Sequence, residues 1–315
     1  MKQNGKVAFV FPGQGSQYLG MGKELHKQFA IARKVFAEAD EALGFSLSQL
    51  CFTGPEANLK RTENTQPAIL TVSIAALRVL ESETSLRPDF AAGHSLGEYS
   101  ALVCVGAMSF YDAVRIVRAR GQLMQQAVPA GKGSMAVILG LGMNAVRSLC
   151  KEVSDGEVVA PANYNGGGQI VIAGAKSAVA RAMLIAKERG AKRVLDLPVS
   201  APFHCQLMRP AAEGLRKILN PIAIQPFSIG VVTNVEAEVN LDASRVKSLL
   251  VDQAVQPVRW EESVRTLTEL GCARLWEIGP GKVLKGLISR ISPELTTENF
   301  ATPQDLGKVC EEQDQ

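Results

Sequence analysis

The segment Gly93-His94-Ser95-Leu96-Gly97 sets a hydroxyl between two glycines in the spacing G-x-S-x-G. That spacing suits a nucleophile. A sharp turn from strand into helix lifts the serine oxygen above a sheet, and bulky side chains two residues to either side would collide there. The N–H groups after the serine open a helix and point towards a carbonyl under attack. A serine between glycines is common in loops, so the motif gains weight from its surroundings: Pro88 to Ala92 reads as a strand and Glu98 to Val105 as a helix. Such a serine needs a base within ~3 Å to react at neutral pH. There are three histidines. His26 falls on a surface helix and reads as a solvated polar residue. His94 adjoins Ser95, and adjacent side chains diverge across such a turn, so it reads as packing or a hydrogen bond beneath it. His204, in a loop after Pro202, is the candidate left; the alternative is a structural loop histidine. Asp196 and Asp252 could orient an imidazole, but no motif selects either.

A buried cation is the second chemical signal. Ala113, Val117, Arg120 and Met124 share one face of a helix read over Tyr111 to Ala127. Arg120 therefore interrupts an apolar stripe and must find a partner. A substrate carboxylate can take both prongs of a guanidinium; a core Asp or Glu is the alternative. Arg115 and Arg118 fall off the stripe and read as solvated.

The elements that must position these groups read as α/β. Val7 to Phe11 is a short apolar strand ending at Pro12-Gly13. Gly22 to Leu43 reads as a helix. Gln66 to Leu80 is another, opened by Pro67 in its first turn. With the strand and helices around Ser95, this order implies a parallel sheet. Between Gly131 and Val199 the order becomes βαββαβ: Ser134 to Leu139, Met143 to Val153, Val158 to Ala162, Gln169 to Ala173, Ser177 to Arg189 and Arg193 to Leu197. That is the split, ferredoxin-like unit. Residues 131–199 are read as a small inserted domain within a large one formed by 1–130 and 200–315. Ile229 to Thr233 and Arg274 to Ile278 are late strands of the large domain, and the last ~20 residues, polar and unpatterned, read as a loosely held tail.

Composition narrows the function. The chain has 315 residues, 46% hydrophobic and 21% charged, and a formal net charge of +3, with no Lys/Arg run suited to nucleic acid. Six scattered cysteines form no C-x-x-C pair, so a structural zinc site is not expected. No stretch approaches the roughly 20 apolar residues that span a membrane, and the N-terminal apolar run is too short for a signal peptide. A cytoplasmic protein with reduced thiols is the simplest reading. Nucleotide loops are not met: Gly13-Gln14-Gly15 carries Tyr18 where G-x-G-x-x-G needs glycine, and Gly279-Pro280-Gly281-Lys282 lacks P-loop spacing.

Five blocks, in order along nearly the whole chain, resemble malonyl-CoA:acyl carrier protein transacylases of bacterial type II fatty acid synthesis. They are Phe11-Pro12-Gly13-Gln14-Gly15-Ser16-Gln17, Gly93-His94-Ser95-Leu96-Gly97-Glu98-Tyr99, Arg120-Gly121, Ala201-Pro202-Phe203-His204 and Glu277-Ile278-Gly279-Pro280-Gly281. The resemblance implies an α/β-hydrolase-like large domain with a parallel sheet and an inserted ferredoxin-like small domain, the active site lying in the cleft between them. It implies a Ser95–His204 dyad whose imidazole is oriented by the main-chain carbonyl of Gln253. It places the oxyanion on the main-chain N–H groups of Gln14 and Leu96, which suits the kink that Gly13 and Gly15 permit. Arg120 and Met124 line the acyl site. Asn163 and Asn165 resemble residues facing it, or serve equally as turn formers before three glycines. Phe203 stands where the family sets acyl size, which favours malonyl over branched groups. The implied reaction moves malonyl from malonyl-CoA to the phosphopantetheine thiol of acyl carrier protein, with no metal or cofactor, in a monomer that binds neither nucleic acid nor membrane. Two rivals are a serine hydrolase, such as a thioesterase or patatin-like lipase, which has no need of an inward Arg120, and a non-catalytic carrier-protein-binding subunit, which has no need of Ser95 and His204 together.

Overall fold

The computed structural model describes residues 5–199 and 201–313, with side chains described as far as residue 309; residue 200, the expected start of the resumed large domain, lies outside them. The chain opens with β1 (Lys6–Phe11), α1 (Lys23–Gln28), α2 (Ala30–Leu43), α3 (Leu47–Thr53), α4 (Glu56–Leu59) and α5 (Thr62–Glu83). β2 (Phe90–Gly93), α6 (Gly97–Cys104) and α7 (Phe110–Gln126) follow. Next come β3 (Gly133–Leu139), α8 (Met143–Val153), β4 (Val159–Tyr164), β5 (Gln169–Ala175), α9 (Lys176–Glu188) and β6 (Arg193–Asp196). The remainder is α10 (Arg209–Leu219), β7 (Gly230–Val232), β8 (Val239–Asn240), α11 (Val246–Gln253), α12 (Trp260–Glu269), β9 (Cys272–Ile278), α13 (Val283–Ile291), β10 (Thr296–Phe300) and α14 (Leu306–Gln313).

Two sheets result. The larger has the order β10-β9-β1-β2-β7-β8, parallel except for the β7–β8 pair. The alternation of side chains along β1 divides its core in two. Val7, Phe9 and Phe11 face a layer that includes α2, α5 and α7. Ala8 and Val10 face Trp260, Leu267, Leu284 and Ile288 of α12 and α13. With both faces covered, the strands read as continuous apolar runs. The central strands β1 and β2 end side by side at Phe11 and Gly93, so the loops that follow them open at the same edge.

The smaller sheet has the order β4-β5-β3-β6, antiparallel throughout, and all four strands lie between Gly133 and Asp196. One face packs on α8 and α9 through Ala136, Ile138 and Ile172. The other, with Met135, Val137 and Val171, packs against Met124, Phe203 and Met208. Main-chain bonds between Tyr164 N–H and the Val258 carbonyl, and between Val258 N–H and the Ala162 carbonyl, tie β4 to the segment after α11.

Several expectations are corrected. The single helix over 22–43 is two, because Phe29 is extended and its N–H closes α1 on the Leu25 carbonyl. α5 starts at Thr62, so Pro67 lies inside it rather than in its first turn. His26 is half-buried against the rings of Phe36 and Phe52, and Arg118 bonds Asn64 Oδ1 at 3.0 Å with its guanidinium over Phe45. Neither is simply solvated. The expected loose tail holds β10 at the sheet edge, with Phe300 fully buried, and α14 beyond it. Its polar composition misleads because the amide of buried Asn299 is met by the Gly281 carbonyl at 2.9 Å.

Candidate active site

Ser95 sits between the end of β2 and the start of α6 with φ 53°, in the left-handed region. A side chain at Gly93 would overlap the Gly97 backbone, and one at Gly97 would overlap the Phe11 carbonyl. Both glycines are therefore required by close approach. Asn234, just past β7, clamps the turn: its Oδ1 accepts from Ser95 N–H at 2.7 Å and its Nδ2 donates to the Gly93 carbonyl at 2.6 Å. Strain at Ser95 persists because these bonds over-determine it.

His204, also in the left-handed region with φ 59°, brings Nε2 to 2.7 Å from Ser95 Oγ. Its Nδ1 lies 2.8 Å from the Gln253 carbonyl. A carbonyl only accepts, so Nδ1 carries the hydrogen and Nε2 presents its lone pair to the serine hydroxyl. Burial, reinforced by the charge of Arg120, holds the His204 imidazole down to about 3, so it is neutral at physiological pH. A neutral imidazole in this position can take the serine proton, and the resulting alkoxide can attack a carbonyl. Asp196 is exposed on β6, and the polar atom meeting Nδ1 is the Gln253 carbonyl.

Arg120 is buried on α7, 2% exposed. It donates from Nη1 to Gln66 Oε1 at 2.7 Å, and from Nη2 to Gln253 Oε1 at 2.9 Å and Ser95 Oγ at 3.1 Å. Its guanidinium lies 5.5 Å from the Tyr99 ring centre, and its Nε–H is buried without a partner among the described residues. The oxygens it meets are all neutral, so it stands beside the nucleophile able to receive a carboxylate.

These groups line a cleft of about 110 Å³ whose walls also include Gln14, Leu96, Met124, Asn163 and Phe203. Gln14 is exposed at the rim, its side chain reaching Thr62 Oγ1 at 3.3 Å. Leu96 precedes the first residue of α6. Asn165 is the exception among the expected acyl-site residues. β4 ends at Tyr164 and the chain turns, so Asn165 faces His94, with Oδ1 2.9 Å from Nε2, and lies outside the cleft lining. The His94 ring packs on Trp260 at 5.7 Å.

Gln66, Asn234, Glu98 and the side chain of Gln253 complete the arrangement and were not singled out in the sequence. Glu98 is 2% exposed, accepts from Gln253 Nε2 at 2.8 Å and Asn234 N–H at 3.1 Å, and is pushed up to about 7 by burial. Gln66 and Asn234 carry no motif, but Asn234 follows a late parallel strand on the loop edge of the sheet, where ligands of α/β folds bind. That position was the available signal. Glu277, fully buried, instead caps α13 by accepting from the N–H groups of Leu284 and Lys285.

A serine hydroxyl bonded to a neutral imidazole, at the loop edge of a parallel sheet, is an arrangement able to carry acyl transfer, and comparison with known proteins agrees with that class. The acyl transferase domain family matches residues 8–298. The malonyl CoA-acyl carrier protein transacylase of Bacillus subtilis is 48% identical over 302 residues, covering 96% of this chain and 95% of that protein. The enzyme of the same name from Escherichia coli is 46% identical over 306 residues, covering 97% and 99%. An acyl carrier protein S-malonyltransferase from Vibrio cholerae superposes with a TM-score of 0.95 at 47% identity, covering 96% of this chain and 99% of that one. A malonyl-transacylase in complex with a type II PKS acyl-carrier protein superposes with a TM-score of 0.95 at 46% identity, covering 98% and 99%. The protein is thus an acyltransferase, and the chain belongs to the family of malonyl CoA-acyl carrier protein transacylases. Among the described residues no helix is long and apolar enough to cross a membrane.

Proposed function

We propose that the protein moves malonyl from malonyl-CoA to the phosphopantetheine thiol of acyl carrier protein, in two half-reactions through a malonyl ester of Ser95. The observation that carries this reading is Arg120: a buried guanidinium 3.1 Å from Ser95 Oγ, hydrogen-bonded among the described residues only to neutral oxygens. His204 takes the Ser95 proton as Oγ attacks the thioester. The tetrahedral oxyanion rests on the N–H groups of Gln14 and Leu96, and coenzyme A leaves with the proton from His204. The carrier thiol then attacks the ester, His204 again acting as base, and Ser95 is restored. The Gln253 carbonyl keeps the imidazole in the tautomer both halves require. Arg120 pairs with the malonyl carboxylate while Met124, Asn163 and Phe203 bound the acyl chain. No step calls for a metal or cofactor.

The strand order β4-β5-β3-β6 supports a ferredoxin-like small domain over residues 131–199, set into an α/β-hydrolase-like large domain. A cytoplasmic monomer serving fatty acid biosynthesis is the setting we infer. The test incubates enzyme and malonyl-CoA with holo-acyl carrier protein, or with the apo form lacking the thiol. Malonyl should appear on the holo protein alone. Free malonate accumulating equally with either form would point to a hydrolase instead.

A further inference from the structure

Arg120 and Glu98 sit at opposite ends of one side-chain amide. Gln253 Oε1 accepts from Arg120 Nη2 at 2.9 Å, and Gln253 Nε2 donates to Glu98 Oε2 at 2.8 Å. Nε2 also donates to the Ser95 carbonyl at 3.0 Å, which fixes the amide with its oxygen towards the arginine. Two hydrogen bonds and the width of an amide set the two charges at most about 8 Å apart. Both groups are 2% exposed, so little water screens them. Among the described residues, Arg120 has no carboxylate as a hydrogen-bond partner. Other ionisable groups around Glu98 are Tyr99 on its own helix and Glu236 after β7. The buried residues of β1, β2, α5 and α11 include no ionisable side chain. Glu98 is thus the anion that offsets Arg120 in the free site.

A substrate carboxylate on Arg120 would bring a second anion to a cation that already has one. Two buried carboxylates sharing one cation do not both stay ionised; the one farther from it gains a proton. We infer that Glu98 is the resting counter-ion of Arg120 and takes up a proton from solvent when a carboxylate-bearing acyl group docks on that arginine. Glu98 is a positioning residue: its carboxyl acts through Gln253 and touches neither substrate nor the Ser95 hydroxyl. Its raised affinity for a proton in the free site agrees with this. The inference deepens the malonyl reading and rests on it. Acylation itself exchanges a thioester and an alcohol for an ester and a thiol without net proton change, so any extra proton reports Glu98.

The experiment mixes enzyme with malonyl-CoA or acetyl-CoA in weak buffer at pH 7.5 with an indicator dye. Protons taken up are counted per acyl adduct, the adduct being measured by mass. Malonyl should consume between about a half and one proton per adduct and acetyl close to none. Glu98→Gln, driven to acylation with excess malonyl-CoA, should lose the uptake. In wild type, KM for malonyl-CoA should climb above pH 7 by up to about tenfold per unit, and in Glu98→Gln it should stay flat. That wild-type profile decides the matter should the variant fail to fold. A malonyl adduct formed without proton uptake, or a flat wild-type profile, overturns the counter-ion role and leaves the malonyl reading intact. Absence of any malonyl adduct overturns both.

Discussion

Replacing Arg120 with alanine should abolish the enzyme's preference for a carboxylate. In the free site the guanidinium bonds Gln66, Gln253 and Ser95; with malonyl bound, a two-pronged contact to the carboxylate is the addition that acetyl lacks. Hydrogen bonds to charged groups contribute about 1.5–3 kcal/mol each, so a lost pair is worth about 3–6 kcal/mol. Malonyl kcat/KM should fall by roughly 10² to 10⁴. Acetyl kcat/KM should fall by no more than about tenfold, because the same substitution also removes the charge that disfavours protonation of His204. Arg120→Lys should recover only part of the malonyl loss, an ammonium being a point donor without a fork. Stripping Arg120 leaves two glutamine oxygens unmet in the core, about 1–3 kcal/mol each. Thermal unfolding must therefore accompany the kinetics, measured for both thioesters in all three proteins. Equal losses for malonyl and acetyl in a folded Arg120→Ala protein would refute the clamp and make Arg120 structural.

Three further outcomes are expected. His204→Ala should slow acylation of Ser95 by at least about 10²-fold in single-turnover mass measurements, with His94→Ala far milder; the reverse ranking would assign the base to His94. Gly97→Ala should cost about 1–3 kcal/mol or more in chemical denaturation, since the new methyl meets the Phe11 backbone, which cannot move aside as a side chain would; wild-type stability would show that the elbow is looser than described. Stability should also carry a histidine signature. His204 is held below its usual value, so the unfolded chain binds this proton first, and stability is lost as pH falls below about 6.5. Between pH 7 and 5 that loss is about 2 kcal/mol, and His204→Asn should lose about that much less over the same range in urea titrations. Parallel pH profiles for the two proteins would contradict a buried neutral His204.

What could be read from the sequence was what carries either a motif or a scarcity. Ser95 lies in a pattern with a steric reason for each glycine, His204 is one of three histidines, and Arg120 breaks an apolar stripe. The neutral amides around them were not legible. Gln66, Asn234 and Gln253 reach Arg120 or Ser95 from 54, 139 and 158 positions away, brought in by the packing of α5 on α7, of β7 beside β2 and of α11 on α10, which itself lies on α7. Glu98 stood in plain view beside the nucleophile, yet its burial and its bond to Gln253 depend on tertiary contacts. For Asn165 the two readings, acyl-site residue or turn former, could not be separated in sequence, because only the fold shows the turn after β4 that aims it at His94. Element assignments failed where polar residues are satisfied by tertiary bonds, as in β10, or where one extended residue, Phe29, breaks a continuous pattern.

In the proposed reaction the acyl group passes through Ser95. The most direct measurement is a pulse and chase: enzyme with a slight deficit of malonyl-CoA, digestion and mass analysis, then a second sample chased with holo-acyl carrier protein. A malonyl mass should appear on the peptide containing Ser95 and should leave it, stoichiometrically, for the carrier's phosphopantetheine. An adduct on any other residue, or a Ser95→Ala protein that still passes malonyl to the carrier, would contradict this route.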